Sequence, residues 1–460
     1  MDQDMGGLRY EPMRNKTKRT LFFLGFFEMV YMLCLAGLLT ARPTAQDVRT
    51  FTLKNGMKVL VLEDHTIPQV MFQIFFKVGS RNEYPGITGI SHFLEHMMFN
   101  GSENFGPKMF DRILEDAGGS SNAYTGKDLT SYQDWVPKGS LEQVFQLEAD
   151  RLKGPALEES VVEKERGVVL SEYLTTYENS HHALLEDQLN AVAFQVHPYR
   201  RPVIGYESDI RRWQVSDIRS YFDRYYGPNN ALLAVVGDVS FDRVRALAET
   251  YLEPIPPRPT PPPLAVPEPP QRGEKRLVVE KEVSSPHLLI AFHVPATGAA
   301  DYYALKMLSV VLSQGKSSRL YQALIQDRTL ATEVSTYMYE SLDPTLFYIY
   351  AVCADGVSAG SLEKAILREL RKVVKGGVTE KELARARKQV LASFYGSLQR
   401  ISDKADLLGT YEIFWGGYEN LFRFPEACLK VRRADIRAAA AKYFLASNRT
   451  VGILRPRKDY

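Results

Sequence analysis

The chain has 460 residues, enough for two or three ordinary domains, and its 45% apolar and 24% charged residues are a globular balance, not a disordered one. With 57 basic and 55 acidic residues the net charge is +2, which excludes a nucleic-acid binder that runs on bulk charge. Three cysteines exclude a disulfide scaffold or a Cys-rich metal module.

Residues 1–46 come first and differ from the rest. Arg14, Lys16, Lys18 and Arg19 form a basic cluster, and an apolar run over 21–39 follows, broken only by Glu28. This is the layout of an export signal or an N-terminal membrane anchor. It predicts an exported protein, periplasmic or anchored to the inner membrane and facing the periplasm. The segment's six basic residues (Arg9, Arg14, Lys16, Lys18, Arg19, Arg42) and four acidic ones (Asp2, Asp4, Glu11, Glu28) account for the whole surplus charge.

Beyond residue 46, the turn Lys54-Asn55-Gly56 precedes strand patterns at 59–63 and 70–78. Helical periodicity follows at 141–153 and 158–177. The stretch 254–270 holds ten of the 25 prolines and can form neither helix nor central strand. It divides the chain into 47–252 and 274–460, joined by a Pro-rich linker at 253–273. The two parts read as copies. Asp217-Ile218-Arg219, Tyr225-Tyr226, Asn230 and the strand 232–236 return as Asp435-Ile436-Arg437, Tyr443-Phe444, Asn448 and 450–454, each 218 residues later. Pro68 and Pro286, each before an apolar strand, keep the same step. Strands followed by helices in each copy predict an α+β fold of two homologous domains, each a mainly antiparallel sheet with helices packed on it.

The chemistry concentrates in Gly89-Ile90-Ser91-His92-Phe93-Leu94-Glu95-His96. In His-x-x-Glu-His on a helix, His92 and His96 project from one face with Glu95 beside them. Two imidazoles so placed suit a zinc ion, and the carboxylate can take a proton from a metal-bound water. A lone histidine would more often be a satisfied core residue, but this pattern on an amphipathic helix favours metal. A catalytic zinc site needs a third protein ligand and an open fourth position. Glu165 and Glu172, seven apart on one helix face, are candidates, although most helix glutamates are simply solvated.

Together these motifs resemble the pitrilysin/insulinase family of zinc peptidases, the inverzincins. The similarity covers most of 47–460 and is strongest to the two-domain type that includes the mitochondrial processing peptidase subunits and bacterial relatives. The resemblance implies one Zn2+ per chain held by His92, His96 and Glu172. It implies Glu95 as the general base that activates the zinc-bound water, with Glu165 as a supporting carboxylate near the metal. Gly118 to Thr125, followed by Thr130-Ser131-Tyr132, resembles the family's active-site edge strand, which binds an extended peptide by adding it to a sheet. The resemblance places Asn122 and Ala123 along the scissile bond and Phe99 and Tyr124 near an apolar side-chain pocket. Plain core packing is an equal reading for Phe99 and for Tyr124. His197-Pro198-Tyr199, with Gly205, matches a structural turn of the family.

The second copy carries no metal motif near Lys306-Met307-Leu308-Ser309-Val310. In the family, an Arg and a Tyr seven apart follow a Ser-Arg-Leu-aromatic segment and help to hold the substrate. Here Ser318-Arg319-Leu320-Tyr321 is that segment, and the two positions fall on Ile325 and Thr332, which cannot do that work. The expectation is a zinc metalloendopeptidase that acts as the catalytic subunit of a heterodimer. Its partner would be a paralogous subunit with the Arg/Tyr pair and no zinc motif, and peptides would be the substrates. The alternative is a non-catalytic scaffold or binding subunit of a larger assembly. Cys353 and Cys428 read as small buried residues, with a disulfide left open.

Overall fold

The computed structural model describes residues 43–264 and 266–457. Of residues 1–46, where the sequence predicts an export signal or membrane anchor, those up to 42 lie outside the described residues. Chain contacts divide the protein after Asp47, and the fold is that of Val48–Tyr460. Among the described residues no helix is long and apolar enough to cross a membrane.

The first half builds a six-stranded sheet. Its strands are β1 (Val48–Thr52), β2 (Lys58–Glu63), β3 (Gln69–Phe76), β4 (Ser120–Thr125), β5 (Thr130–Pro137) and β6 (Ala231–Gly237). The second half builds a five-stranded sheet from β7 (Lys275–Lys281), β8 (His287–Val294), β9 (Ala331–Tyr337), β10 (Thr345–Cys353) and β11 (Arg449–Pro456). The first half carries α1 (Ile90–Met97), α2 (Met109–Asp116), α3 (Leu141–Lys153), α4 (Glu159–Asn179), α5 (His181–Ala193), α6 (Glu207–Ile210), α7 (Val215–Tyr225) and α8 (Phe241–Tyr251). The second carries α9 (Tyr302–Ser313), α10 (Ala359–Gly376), α11 (Glu380–Ser397), α12 (Ile401–Phe414), α13 (Glu419–Lys430) and α14 (Arg433–Tyr443).

The strand orders are β1-β2-β6-β3-β5-β4 and β7-β11-β8-β10-β9. Without β1 they are the same order, and the pairing senses agree. β2/β6 and β7/β11 are parallel, and the other pairs are antiparallel. The step of 218 carries β3 onto β8 and α7 onto α14 residue for residue. Even a side-chain contact repeats. Asn230 Nδ2 donates to the Tyr225 carbonyl at 2.8 Å, and Asn448 Nδ2 to the Tyr443 carbonyl at 2.8 Å. The fold is therefore α+β with two homologous domains joined by the Pro-rich segment.

The strands are apolar on both faces because both faces are covered. Val70, Phe72, Ile74 and Phe76 of β3 join the first half's own core, while Met71 and Phe75 join a core shared with the second half. The covering element on that side is α12, which packs on β3 and β6. Its counterpart α5 packs in return on β7, β8 and β11, where Leu185, Leu189 and Ala193 meet Leu289, Ala291 and Leu454. Each half thus lends one helix to the other's sheet. Polar contacts reinforce the exchange: Lys58 with Glu412 at 2.6 Å, Lys404 with Asp64, and Arg81 Nε with Asp343 Oδ2 at 2.6 Å.

The described residues of the Pro-rich segment form neither helix nor strand, and the segment is pinned at Glu268, whose carboxylate accepts the N–H groups of Gln195, Val196 and His197 at 2.6, 3.0 and 3.0 Å. Cys353 and Cys428 are buried and free, so the disulfide left open by the sequence is absent between them. Burial pushes their thiols up to about 11 and about 12, away from reactivity.

Candidate metal centre

The helix that bears the motif is set by its entry. Glu83 accepts the N–H groups of Gly89 at 2.7 Å and Ser91 at 2.9 Å, which satisfies donors that the first turn leaves free. Gly89 has φ +84, and a β carbon there would stand 2.2 Å from the Ile204 carbonyl oxygen. The loop ending at Gly205 therefore lies directly against the helix entry, which is the structural part played by the 197–205 turn. Phe93, Leu94 and Met97 bury one side of α1.

The other side carries the chemistry. The rings of His92 and His96 are 4.7 Å apart, and α4 brings Glu172 up to both. His92 Nε2 lies 3.6 Å from Glu172 Oε1, and His96 Nε2 lies 3.4 Å from Glu172 Oε2. One donor atom from each of the three residues lies within 4.8 Å of the other two, a little wider than the roughly 3.3 Å between donors on a tetrahedral zinc with bonds near 2.0–2.1 Å. Among the described residues they form the one such cluster of His, Cys, Asp or Glu. Two nitrogens and one carboxylate leave a fourth position free, which is the composition of a catalytic zinc site.

Glu165, two turns before Glu172 on α4, accepts from His96 Nδ1 at 2.7 Å. Burial disfavours charge on His96, but the bonds and charges of Glu165 and Glu172 outweigh it and hold the pKa at about 9. Burial and the neighbouring His96 press His92 down to about 4. Glu95 points beside the pair. Burial raises its pKa, opposed by a hydrogen bond from Thr125 and by His96. A carboxyl held above its usual value is suited to taking a proton near neutrality.

β4 is the outer strand of its sheet, as an edge that receives a peptide requires. Asn122 is exposed on it and Ala123 is half-buried. Tyr124 is 37% exposed and donates to Asp406 Oδ1 of α12 at 2.9 Å. A cavity of about 960 Å³ joins His92, Glu172 and Tyr124 to Lys306, Tyr339 and Trp415 of the second half. Phe99 does not line it. Its ring meets Phe110 and Tyr132 at 6.2 and 6.1 Å, under the Arg151 guanidinium. Ile325 packs against the second-half core, and Thr332 is exposed on β9. Arg319 is engaged by Glu382 through two bonds of 2.9 and 2.7 Å. α9 of the second half carries no histidine and no glutamate. Sequence reasoning missed Thr125 and Asn100, whose side chains reach Glu95 and Glu165. For Thr125 the clue was available, because a polar side chain on an edge strand beside a motif helix needs a partner.

Residues 58–207 match the family model described as "Insulinase (Peptidase family M16)", and 212–390 match "Peptidase M16 inactive domain". The chain is 32% identical over 435 residues to "Zinc protease PqqE" of Helicobacter pylori, covering 93% of this chain and 97% of that protein. The chain belongs to the M16 peptidase family. Another M16 relative, "Uncharacterized zinc protease YmxG" of Bacillus subtilis, is 27% identical over 81% of this chain and 90% of its own length. Among solved structures, a protease from Helicobacter pylori superposes with a TM-score of 0.86 at 31% identity, over 89% of this chain and 99% of that one. The periplasmic protease PqqL from Escherichia coli shares the M16 fold at TM-score 0.75 and 18% identity, over 90% of this chain and 48% of that one. The label of the second family model suits a half whose α9 has no histidine and no carboxylate.

Proposed function

We propose that this chain is a zinc-dependent endopeptidase and the catalytic subunit of a heterodimer. The observation that carries the reading is the gathering of His92, His96 and Glu172, one donor atom of each within 4.8 Å of the others, with the half-buried carboxylate of Glu95 beside them. Zinc bound there would supply a Lewis acid that polarises the scissile carbonyl and acidifies the attacking water.

The chain's own residues do the rest. The main chain of β4 takes an extended peptide as a further strand, so binding depends little on side-chain identity. Asn122 and Ala123 lie along the scissile bond, and Tyr124 with the aromatic cavity wall receives a neighbouring side chain. Glu95 accepts the proton of the attacking water and returns it to the departing amine, and Thr125 holds that carboxylate in place. Glu165 fixes the ring of His96. Ile325 and Thr332 offer no donor to the substrate, so the Arg and Tyr come from a paralogous partner without a zinc motif. The basic and apolar leader delivers the enzyme to the periplasm or to the periplasmic face of the inner membrane.

The test is peptide-library cleavage by the purified chain, alone and co-expressed with its paralogue, before and after chelation. Expected are near-stoichiometric zinc, activity lost to the chelator and restored by zinc, and a large gain with the partner. A chain that binds no zinc is a scaffold subunit instead. Full activity without a partner would remove the heterodimer from the reading.

A further inference from the structure

α1 ends at Met97, and its last carbonyls need donors. Asn100 supplies one. Its Nδ2 donates to the His96 carbonyl at 3.0 Å, beside the Phe99 N–H at 3.1 Å. The second N–H of the same amide donates to Glu165 Oε2 at 2.9 Å. The amide orientation is forced, because the flipped group would set its oxygen against both a carbonyl and a carboxylate. Glu165 is thereby held at both oxygens, Oε2 by Asn100 and Oε1 by His96 Nδ1 at 2.7 Å. With the proton fixed on Nδ1, Nε2 is the atom left to face Glu172.

The other histidine has no such support. His92 Nδ1 is buried and has no hydrogen-bond partner among the described residues. Orientation of the donor set therefore rests on the His96 side. One amide there ties the end of α1, which carries both histidines, to α4, which carries Glu165 and Glu172.

We infer that Asn100 is a positioning residue of the metal centre, acting through Glu165 to hold His96 in the zinc-binding orientation and tautomer. The inference rests on the zinc reading above and deepens it. Loss of a group hydrogen-bonded to a metal ligand commonly changes metal affinity by about 10- to 100-fold, and Asn100 holds both that group, Glu165, and the carbonyl of His96 itself. A residue that merely closed a helix end would change stability and leave affinity alone.

The experiment measures zinc affinity of the full chain by competition with a chromogenic chelator, with the thermal midpoint of the zinc-free protein as a second readout. Asn100→Ala should weaken zinc by about 10- to 100-fold. Asn100→Asp, which keeps the size and removes the donor, should weaken it at least as much. Asn100→Gln, which restores an amide, should recover part of the loss. In a Glu165→Ala background, Asn100→Ala should add less than about threefold, since the relay is already cut. An unchanged affinity in Asn100→Ala overturns the inference, and so does a loss fully additive to that of Glu165→Ala. A lower zinc-free midpoint with unchanged affinity also overturns it and leaves Asn100 a helix cap. Failure of the wild-type chain to bind zinc overturns it together with the proposed function, whereas wild-type binding with an indifferent Asn100 overturns the inference alone.

Discussion

Gly409 of α12 lies so close over Phe75 of β3 that a β carbon on it would stand 2.1 Å from the Phe75 ring. The helix lent by the second half can approach the first sheet only because that position has no side chain. Gly409→Val should destabilise the protein by about 1–3 kcal/mol through overpacking, measured by urea unfolding. Unchanged stability would mean that the helix does not seat on that strand.

Glu95→Gln keeps the shape of the side chain and removes its ability to take a proton. The variant should bind zinc at the wild-type stoichiometry while turnover falls by about 10²- to 10⁴-fold. Metal analysis alongside a peptide assay reads both quantities. Wild-type turnover in this variant would take the proton transfer away from Glu95.

Asp343 joins the halves through Arg81 Nε at 2.6 Å and His197 Nε2 at 3.1 Å. Burial alone would raise its pKa, but these two bonds outweigh burial and hold it down at about 2. A carboxylate depressed in the folded state stabilises fully above its unfolded value, near 3.9, and loses that contribution as the pH falls through the folded one. The stability gap between the wild type and Asp343→Asn should therefore be constant from neutrality down to about pH 5 and close between about pH 4 and pH 2. A gap that stays level through that window would show the pairing to be energetically idle.

Asn230 and Asn448 close equivalent helix ends, and Asn448 also reaches the His293 carbonyl at 2.9 Å where Asn230 reaches that of Lys77 at 3.4 Å. Each alanine variant should cost about 0.5–1.5 kcal/mol, with Asn448 the more expensive. Calorimetry on the two variants decides the order.

Much of this was legible in the chain itself. The step of 218 residues shared by 68–76 and 215–236 exposed the duplication, and Asn230 and Asn448 keep the same backbone contact across it. His92, Glu95 and His96 were legible because the α-helix fixes which residues share a face. Glu172 needed the family resemblance, since a glutamate on a helix is most often solvated. The exchange of α5 and α12 was hidden because an apolar stripe reveals that a face is buried and not what buries it. Phe99 was ambiguous for a related reason: ring packing under Arg151 and a place in a pocket demand the same side chain. Asn100 was hidden because an amide just past a helix end is ordinary, and its reach to Glu165 exists only once α1 and α4 are packed together.

The lent helices also bear on how such a protein can be cut or rearranged. Neither half covers both faces of its own sheet, so residues 47–252 alone would leave Met71, Phe75, Leu232 and Val236 facing water, and 274–460 alone would leave Leu289 and Ala291 bare. A break within 254–270, by contrast, severs none of the packing between the halves. The two halves should therefore behave as an obligate pair that the Pro-rich segment keeps at high local concentration. Splitting the gene at the prolines should be tolerated if both fragments are made together, and making either fragment singly should yield aggregate.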